Sequence, residues 1–208
     1  MKKTLNSSNE VFTTMGASNH SNRVREDKDF YSTDPQAIDY LLKHEKFSKH
    51  IWECACGNGN LSKRLEEYGH TVKSTDLIYR GYGERESIDF LKQKTLFDGD
   101  IITNPPFKLA NEFVLKALEL SNRKVAMFCR IQFLETQKRY LEIFKDNPPK
   151  KVLVFVKRIK CFPNNNDTIH SSAICYCWIV WDKEWGGETV LEWINNIDED
   201  NGQQKLSI

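Results

Sequence analysis

Short apolar runs alternate with stretches of helical period along most of this chain. Ile51-Trp52, Ile101-Ile102 and Val125-Ala-Met-Phe-Cys129 are too short for helices and are bounded by turn residues, so each predicts a buried strand. His70-Thr-Val-Lys-Ser-Thr75 reads as a further short strand that delivers Asp76 at its end. Between these runs the period changes. Asp34-Pro35 supplies a capping acid and a first-turn proline, predicting a helix over 37–46, and residues 61–68 predict another. Phe113, Leu115, Leu118 and Leu120 give one apolar face to a helix over 108–121. Leu134, Tyr140, Leu141 and Phe144 do the same over 133–144. This alternation predicts the α/β class, a parallel sheet flanked by helices. Lys151-Val-Leu-Val-Phe-Val156 and Ala173-Ile-Cys-Tyr-Cys-Trp-Ile-Val-Trp181 are strong strands with no helix-length segment between them, so an antiparallel hairpin is expected.

Two strand ends carry candidate chemistry. The run Asp100-Ile-Ile-Thr stops at Asn104-Pro105-Pro106-Phe107, because neither proline can donate a ladder hydrogen bond. Asn104 and the carbonyl that follows it are thus held at the carboxyl edge of a sheet, where open α/β sheets bind ligands. An amide oxygen beside a rigid carbonyl offers two adjacent acceptors, suited to an exocyclic amino group, and Phe107 offers a flat face for stacking. Upstream, Ile51-Trp52-Glu53-Cys54-Ala55-Cys56-Gly57-Asn58-Gly59 leads from a strand through a Gly-x-Gly turn into a helix. Glycines there let a ligand approach the backbone. Ser62 stands where the dinucleotide fingerprint has its third glycine, and no Gly-Lys-Ser/Thr follows, so a phosphate cradle is weakly supported. Asp76, after the second strand, is well placed to accept both hydroxyls of a ribose.

Glu53 to Gly59, Asp76, Ile88-Asp89-Phe90-Leu91 and Asn104-Pro-Pro-Phe107 together resemble the ordered motifs of S-adenosylmethionine-dependent amino-methyltransferases. More closely, the chain is similar to small phage and prophage DNA N6-adenine methyltransferases. Phe30-Tyr31-Ser32-Thr33-Asp34-Pro35, Arg80-Gly-Tyr-Gly83, Pro148-Pro149 and Trp178-Ile-Val-Trp181 carry that likeness, which covers residues 29–194. It implies a class I methyltransferase fold, a seven-stranded, mostly parallel sheet in the order 3-2-1-4-5-7-6 with a C-terminal antiparallel hairpin. It implies S-adenosylmethionine as cofactor. Glu53 and Gly57 to Gly59 would border its methionine part and Asp76 its ribose, with Cys54 and Leu77 among the further cofactor contacts. Asp89 and Phe90 would border its adenine, and Tyr31 and Thr33 its carboxylate. Asn104, Pro105, Pro106 and Phe107 would be the catalytic set, methylating N6 of an adenine flipped out of the DNA duplex. Many DNA enzymes of the class have Tyr where Phe107 stands and RNA enzymes often have Phe, so RNA or a protein glutamine remains an alternative acceptor. A non-catalytic binding module is a third reading, and the intact Asn104 motif argues against it.

Composition narrows the setting. A chain of 208 residues, 39% hydrophobic and 28% charged, fits one globular domain, expected over 26–198, with polar, disordered tails at 1–25 and 199–208. No apolar run is long enough to span a membrane, and the start is too polar for a signal peptide, so a cytoplasmic protein without membrane partners is expected. A net charge of +1 neither demands nor excludes nucleic acid. The six cysteines are expected to be free thiols, and Cys175-Tyr-Cys177 lacks the second pair a metal site needs, so no metal is expected. The segment 157–172 holds Lys157, Arg158, Lys160, Asn164 and Asn165 and is the candidate nucleic-acid contact; a solvated hairpin tip is the competing reading. No separate target-recognition domain is visible, and a monomer is favoured.

Overall fold

The computed structural model describes residues 31–163 and 174–197. Asn164, Asn165 and the rest of the connection to residue 173, like both tails, lie outside the described residues. In chain order the elements are β1 (Tyr31–Thr33), α1 (Gln36–His44), β2 (His50–Glu53), α2 (Asn60–Glu67), β3 (Thr71–Ser74), β4 (Asp100–Thr103), α3 (Ala110–Leu120), β5 (Lys124–Arg130), β6 (Lys151–Phe155), β7 (Cys161–Pro163), β8 (Tyr176–Asp182) and β9 (Val190–Ile194). The main sheet runs β3-β2-β4-β5-β8-β6-β9, and β1 pairs with β7 in a separate two-stranded sheet.

β3, β2, β4 and β5 are parallel; α2 makes the crossover from β2 to β3 and α3 that from β4 to β5, while the long connection 75–99 returns the chain from β3 to β4. β8 is antiparallel to both β5 and β6, so the expected hairpin is present. The strand order differs from 3-2-1-4-5-7-6 at both edges. Outside β3 the scheme needs another strand, yet residues 75–99 form none. That stretch carries Gly81, Gly83 and a dense mix of charges instead of an alternating apolar run. At the far edge β9 is added, parallel to β6.

Apolar side chains fill both faces of the sheet. Ile38, Leu41, Leu61 and Leu65 bring α1 and α2 onto one face, against Ile51, Ile102 and Phe128. Phe113, Val114 and Ala117 bring α3 onto the other, against Trp52, Ile101 and Met127. Asp34 Oδ1 accepts the Gln36 N–H at 3.0 Å, satisfying one of the donors that the start of α1 leaves over. The helix expected over 133–144 is broken. A 3-10 turn covers Ile131–Leu134, Thr136 takes φ 94°, and a single helical turn leads into a π turn over Tyr140–Phe144. The Thr136 hydroxyl accepts the Arg139 N–H at 3.3 Å, so Thr136 caps a new segment instead of continuing an old one. No helix among the described residues is long and apolar enough to cross a membrane.

Candidate active site

Three strand ends converge on one cavity of about 350 Å³. β2 delivers Glu53, β3 delivers Asp76 and β4 delivers Asn104, all at the carboxyl edge of the sheet. The cavity is lined by Thr33, Glu53, Cys54, Gly57, Asp76, Leu77, Asp89, Phe90 and Asn104 to Phe107. The structure thus places most of the candidate cofactor residues around one cavity. Gly59 lies elsewhere: at φ 82° it packs under Tyr82, and a Cβ there would meet that ring at 2.1 Å. Its lack of a side chain serves the Tyr82 ring, away from the cavity wall. The backbone of Tyr31 pairs with Pro163 in the small sheet.

Asp76 organises the glycine turn. Its Oδ2 accepts the Gly57 N–H at 2.8 Å and its Oδ1 accepts the Ile78 N–H at 2.9 Å. A carboxylate therefore already occupies the place where a phosphate cradle would hold its anion. Glu53 is buried beneath the same turn, accepts from the Ser62 hydroxyl, and through Ser62 connects to Ser74 at 2.7 Å. Burial pushes the Glu53 carboxyl up to about 8, against bonding from Ser62 that pulls it down. Asp89 caps a 3-10 turn by accepting the Leu91 N–H at 3.1 Å, with Lys92 Nζ 3.1 Å away. Phe90 is a core residue as well as a lining one, edge-on to Trp52 at 5.2 Å.

The Asn104 amide is oriented from outside β4. Its Nδ2 donates to Thr33 Oγ1 at 2.9 Å and reaches Cys161 Sγ at 3.8 Å. Thr33 is thus bonded to the candidate catalytic amide in addition to lining the cavity. Phe107 stands half-buried beside Tyr176, with ring centroids 6.1 Å apart.

A second cavity, of about 320 Å³, lies beyond Pro105 and Phe107, which line both. Its other walls include Cys129, Arg130, Gln132, Phe133, Arg139 and Ile174. Sequence reasoning missed these residues. Arg130 was findable: it is the charged residue that ends the β5 apolar run, at the same sheet edge as Asn104. Lys157, Arg158 and Lys160 are exposed and line neither cavity, whereas Ile159 among them and Cys161 just after them are buried. Cys161 brings that segment to Asn104.

All six cysteines are free. Burial pushes Cys56 and Cys177 up to about 12 and Cys54 well above its ordinary value, so none of these is an activated nucleophile. Among the described residues no group of three or more His, Cys, Asp or Glu could hold a metal ion.

No family model matches the chain, and no curated protein matches it in sequence. Solved structures share its fold. A modification subunit assigned to a type I restriction enzyme of Vibrio vulnificus YJ016 superposes with a TM-score of 0.55 at 14% identity. The match covers 95% of this chain and 54% of that one, so this chain spans about half the subunit's length. A protein designated a hemolysin from Lactococcus lactis superposes with a TM-score of 0.53 at 14% identity, over 76% of this chain and 91% of that one. Magnesium protoporphyrin IX methyltransferase from Synechocystis PCC 6803, solved with SAM bound, aligns at 12% identity over 70% of this chain and 75% of that one, with a TM-score of 0.45. Strand topology and the first two superpositions agree on the architecture, the Rossmann-like α/β fold of class I methyltransferases.

Proposed function

We propose that the protein transfers a methyl group from S-adenosylmethionine to an exocyclic amino group, N6 of adenine in DNA. The observation that carries this reading is the shared wall: Pro105 and Phe107 line both cavities, with Asn104 beside them. A transfer between two bound molecules needs donor and acceptor sites on either side of one such partition.

The first cavity fits the cofactor. Glu53, Asp76 and Asp89 surround largely apolar walls, which suits a cationic ligand bearing hydroxyls and a heterocycle. When bound, S-adenosylmethionine supplies a methyl carbon made electrophilic by its sulfonium. Glu53 and the Gly57 turn would hold the methionine end, Asp76 the ribose, and Asp89 with Phe90 the adenine.

The chain's own residues then prepare the acceptor. An adenine N6 lone pair is delocalised into the ring and is a poor nucleophile. Asn104 Oδ1 and the Pro105 carbonyl accept the two N6 hydrogens and favour a pyramidal nitrogen, which frees the lone pair. Holding that geometry supplies much of the rate. Phe107 stacks on the flipped base, and Arg130 and Arg139 attract the flanking phosphates. No strong base is needed at the start, because the amine becomes acidic only as it is alkylated; the surplus N6 proton would then pass to water, with the cofactor sulfur left as a neutral thioether.

The test offers tritiated cofactor to DNA, RNA and protein pools and follows the label by nucleoside and amino-acid mass spectrometry. N6-methyladenine from DNA is the expected product. Label confined to RNA or to glutamine keeps the amine site and overturns the DNA assignment; label in none overturns the reading.

A further inference from the structure

The small β1–β7 sheet carries Tyr31 and Thr33, expected from the sequence to border the cofactor carboxylate, and it also touches the centre of the site. Thr33 and Cys161 are direct partners in its antiparallel register. Thr33 is 3% exposed and Cys161 8% exposed, and both approach one atom, Asn104 Nδ2, at 2.9 and 3.8 Å. An amide nitrogen carries two hydrogens, so the pair supplies one acceptor for each. The sheet is itself anchored. Asn60 Nδ2, at the start of α2, donates to Ser32 Oγ at 2.7 Å and to the Thr33 carbonyl at 3.1 Å, and the Asp34 N–H donates to the Lys160 carbonyl at 3.2 Å. Burial holds the Cys161 thiol up at about 11, so it is a neutral, weak acceptor at physiological pH.

We infer that Thr33 and Cys161 are positioning residues that lock the Asn104 amide with its oxygen edge toward the acceptor amine. The inference rests on the amine-methylation reading for its consequence in turnover, though the clamp itself does not. An amide rotated by half a turn would present N–H donors to an amine that is itself a donor, and the two would repel. A side-chain amide rotates freely in a cavity unless one edge is fixed, and a strong acceptor opposite the nitrogen fixes it. Thr33 is that acceptor. Cys161, with its softer and longer contact, fixes the second hydrogen more weakly.

The experiment compares Thr33→Val, Thr33→Ser and Cys161→Ala by steady-state kinetics, cofactor calorimetry and NMR of the Asn104 side-chain amide. Thr33→Val should cut kcat at least about tenfold while cofactor Kd stays within about twofold, and Thr33→Ser should restore most of the rate. Cys161→Ala should give a smaller loss of kcat, of about two- to fivefold, again without change in cofactor Kd. The Asn104 amide proton resonances should shift and exchange faster with solvent in Thr33→Val but not in Thr33→Ser. If Thr33→Val weakens cofactor binding with kcat unchanged, Thr33 is a cofactor contact and the clamp fails. Unmoved amide resonances in Thr33→Val overturn it too. Because the resonances are read without turnover, a parent that methylates nothing would sink the proposed function while still deciding the clamp.

Discussion

The Arg130 guanidinium lies over the Phe107 ring, its central carbon 4.1 Å from the ring centroid. Phe107 is the residue proposed to receive a flipped base, and Arg130 is the last residue of β5, on the wall of the second cavity. A cation over an aromatic face contributes about 0.5–2 kcal/mol, enough to hold the ring in one rotamer before the acceptor arrives.

Arg130→Ala should therefore act on the acceptor and leave the cofactor alone. Affinity for an oligonucleotide should fall about tenfold at 0.1 M salt, and the slope of log affinity against log salt should lose about one unit. Arg130→Lys should keep the slope, because it keeps the charge, and lose part of the affinity, because an ammonium stacks less well than a planar guanidinium. Fluorescence anisotropy across a salt series checks both. An unchanged slope in Arg130→Ala would place the nucleic-acid backbone elsewhere.

Variants of Asp76 and Asn104 should separate cofactor binding from chemistry. Asp76→Ala removes the proposed ribose acceptor and also releases the Gly57 and Ile78 N–H groups. Cofactor affinity should drop about ten- to a hundredfold, from the loss of charged hydrogen bonds of about 1.5–3 kcal/mol. Asp76→Asn should be nearly as poor, since both carboxylate oxygens accept backbone N–H groups and an amide would turn one into a donor. Asn104→Ala should instead leave cofactor affinity nearly intact and cut methyl transfer at least about a hundredfold. Calorimetry and single-turnover labelling distinguish the two patterns.

How far the sequence discloses this molecule depends on how much each segment buries. β2, β4 and β5 are legible because Ile51, Ile101, Ile102 and Val125 to Cys129 are interior, and Gly or Pro punctuates the strand ends. The acids and the amide at those ends are legible for the same reason. β1 and β9 are not. β1 has three residues, Tyr-Ser-Thr, with no apolar run, and β9 leaves Leu191 half-exposed and Trp193 68% exposed, so its pattern carries little burial signal. Thr136 looks like one more residue of a helix in the sequence, and only its φ of 94° and its bond to Arg139 mark a break. The clamp on Asn104 is illegible for a different reason: Thr33 and Cys161 are 128 residues apart along the chain and meet only through the pairing of β1 with β7.

At the opposite edge of the sheet from the cavities, Glu45 and Asp182 share two lysines. Lys124 Nζ lies 2.6 Å from Glu45 and 3.4 Å from Asp182, and Lys150 Nζ lies 3.1 and 3.0 Å from the same pair. Burial pushes the Glu45 carboxyl up, but bonding to Lys124 and Lys150 outweighs it, and the carboxyl is held below its ordinary 4.5. Asp182 is likewise held below its ordinary 3.8. Carboxylates with lowered folded values contribute stability above their unfolded values and lose it as pH falls through the folded ones. Glu45→Ala should thus destabilise the protein by about 3 kcal/mol at pH 7, the lower end for a broken buried pair, because Lys124 is buried, Lys150 is half-buried and Asp182 still faces both. The gap between variant and parent should narrow below the ordinary carboxylate range. Urea melts at a series of pH values measure it, and a gap that is constant down to pH 3 would show that the cluster is not ionised as drawn.

Glu53 runs with the opposite sign. Burial raises its folded value to about 8, against an ordinary 4.5, so at neutral pH it is held as a neutral acid beneath the Gly57 turn. Between those two values the unfolded chain has released a proton that the folded one keeps, and stability falls as pH rises across that window. A cationic ligand reverses the preference, because a positive charge beside Glu53 favours its ionised form. Cofactor affinity should accordingly rise with pH from about 6 to 8, by up to about tenfold per unit, and flatten above. Glu53→Gln keeps the shape and an acceptor for Ser62 but cannot ionise. Its affinity should sit near the parent's low-pH value with the rise largely removed, and its stability should no longer fall between pH 5 and 8. Calorimetry in buffers of different ionisation enthalpy adds a direct reading: the parent should release a proton on binding at pH 7, and Glu53→Gln should release measurably less. Equal proton release from the two would mean that another group titrates and that Glu53 stays neutral beside the bound cofactor.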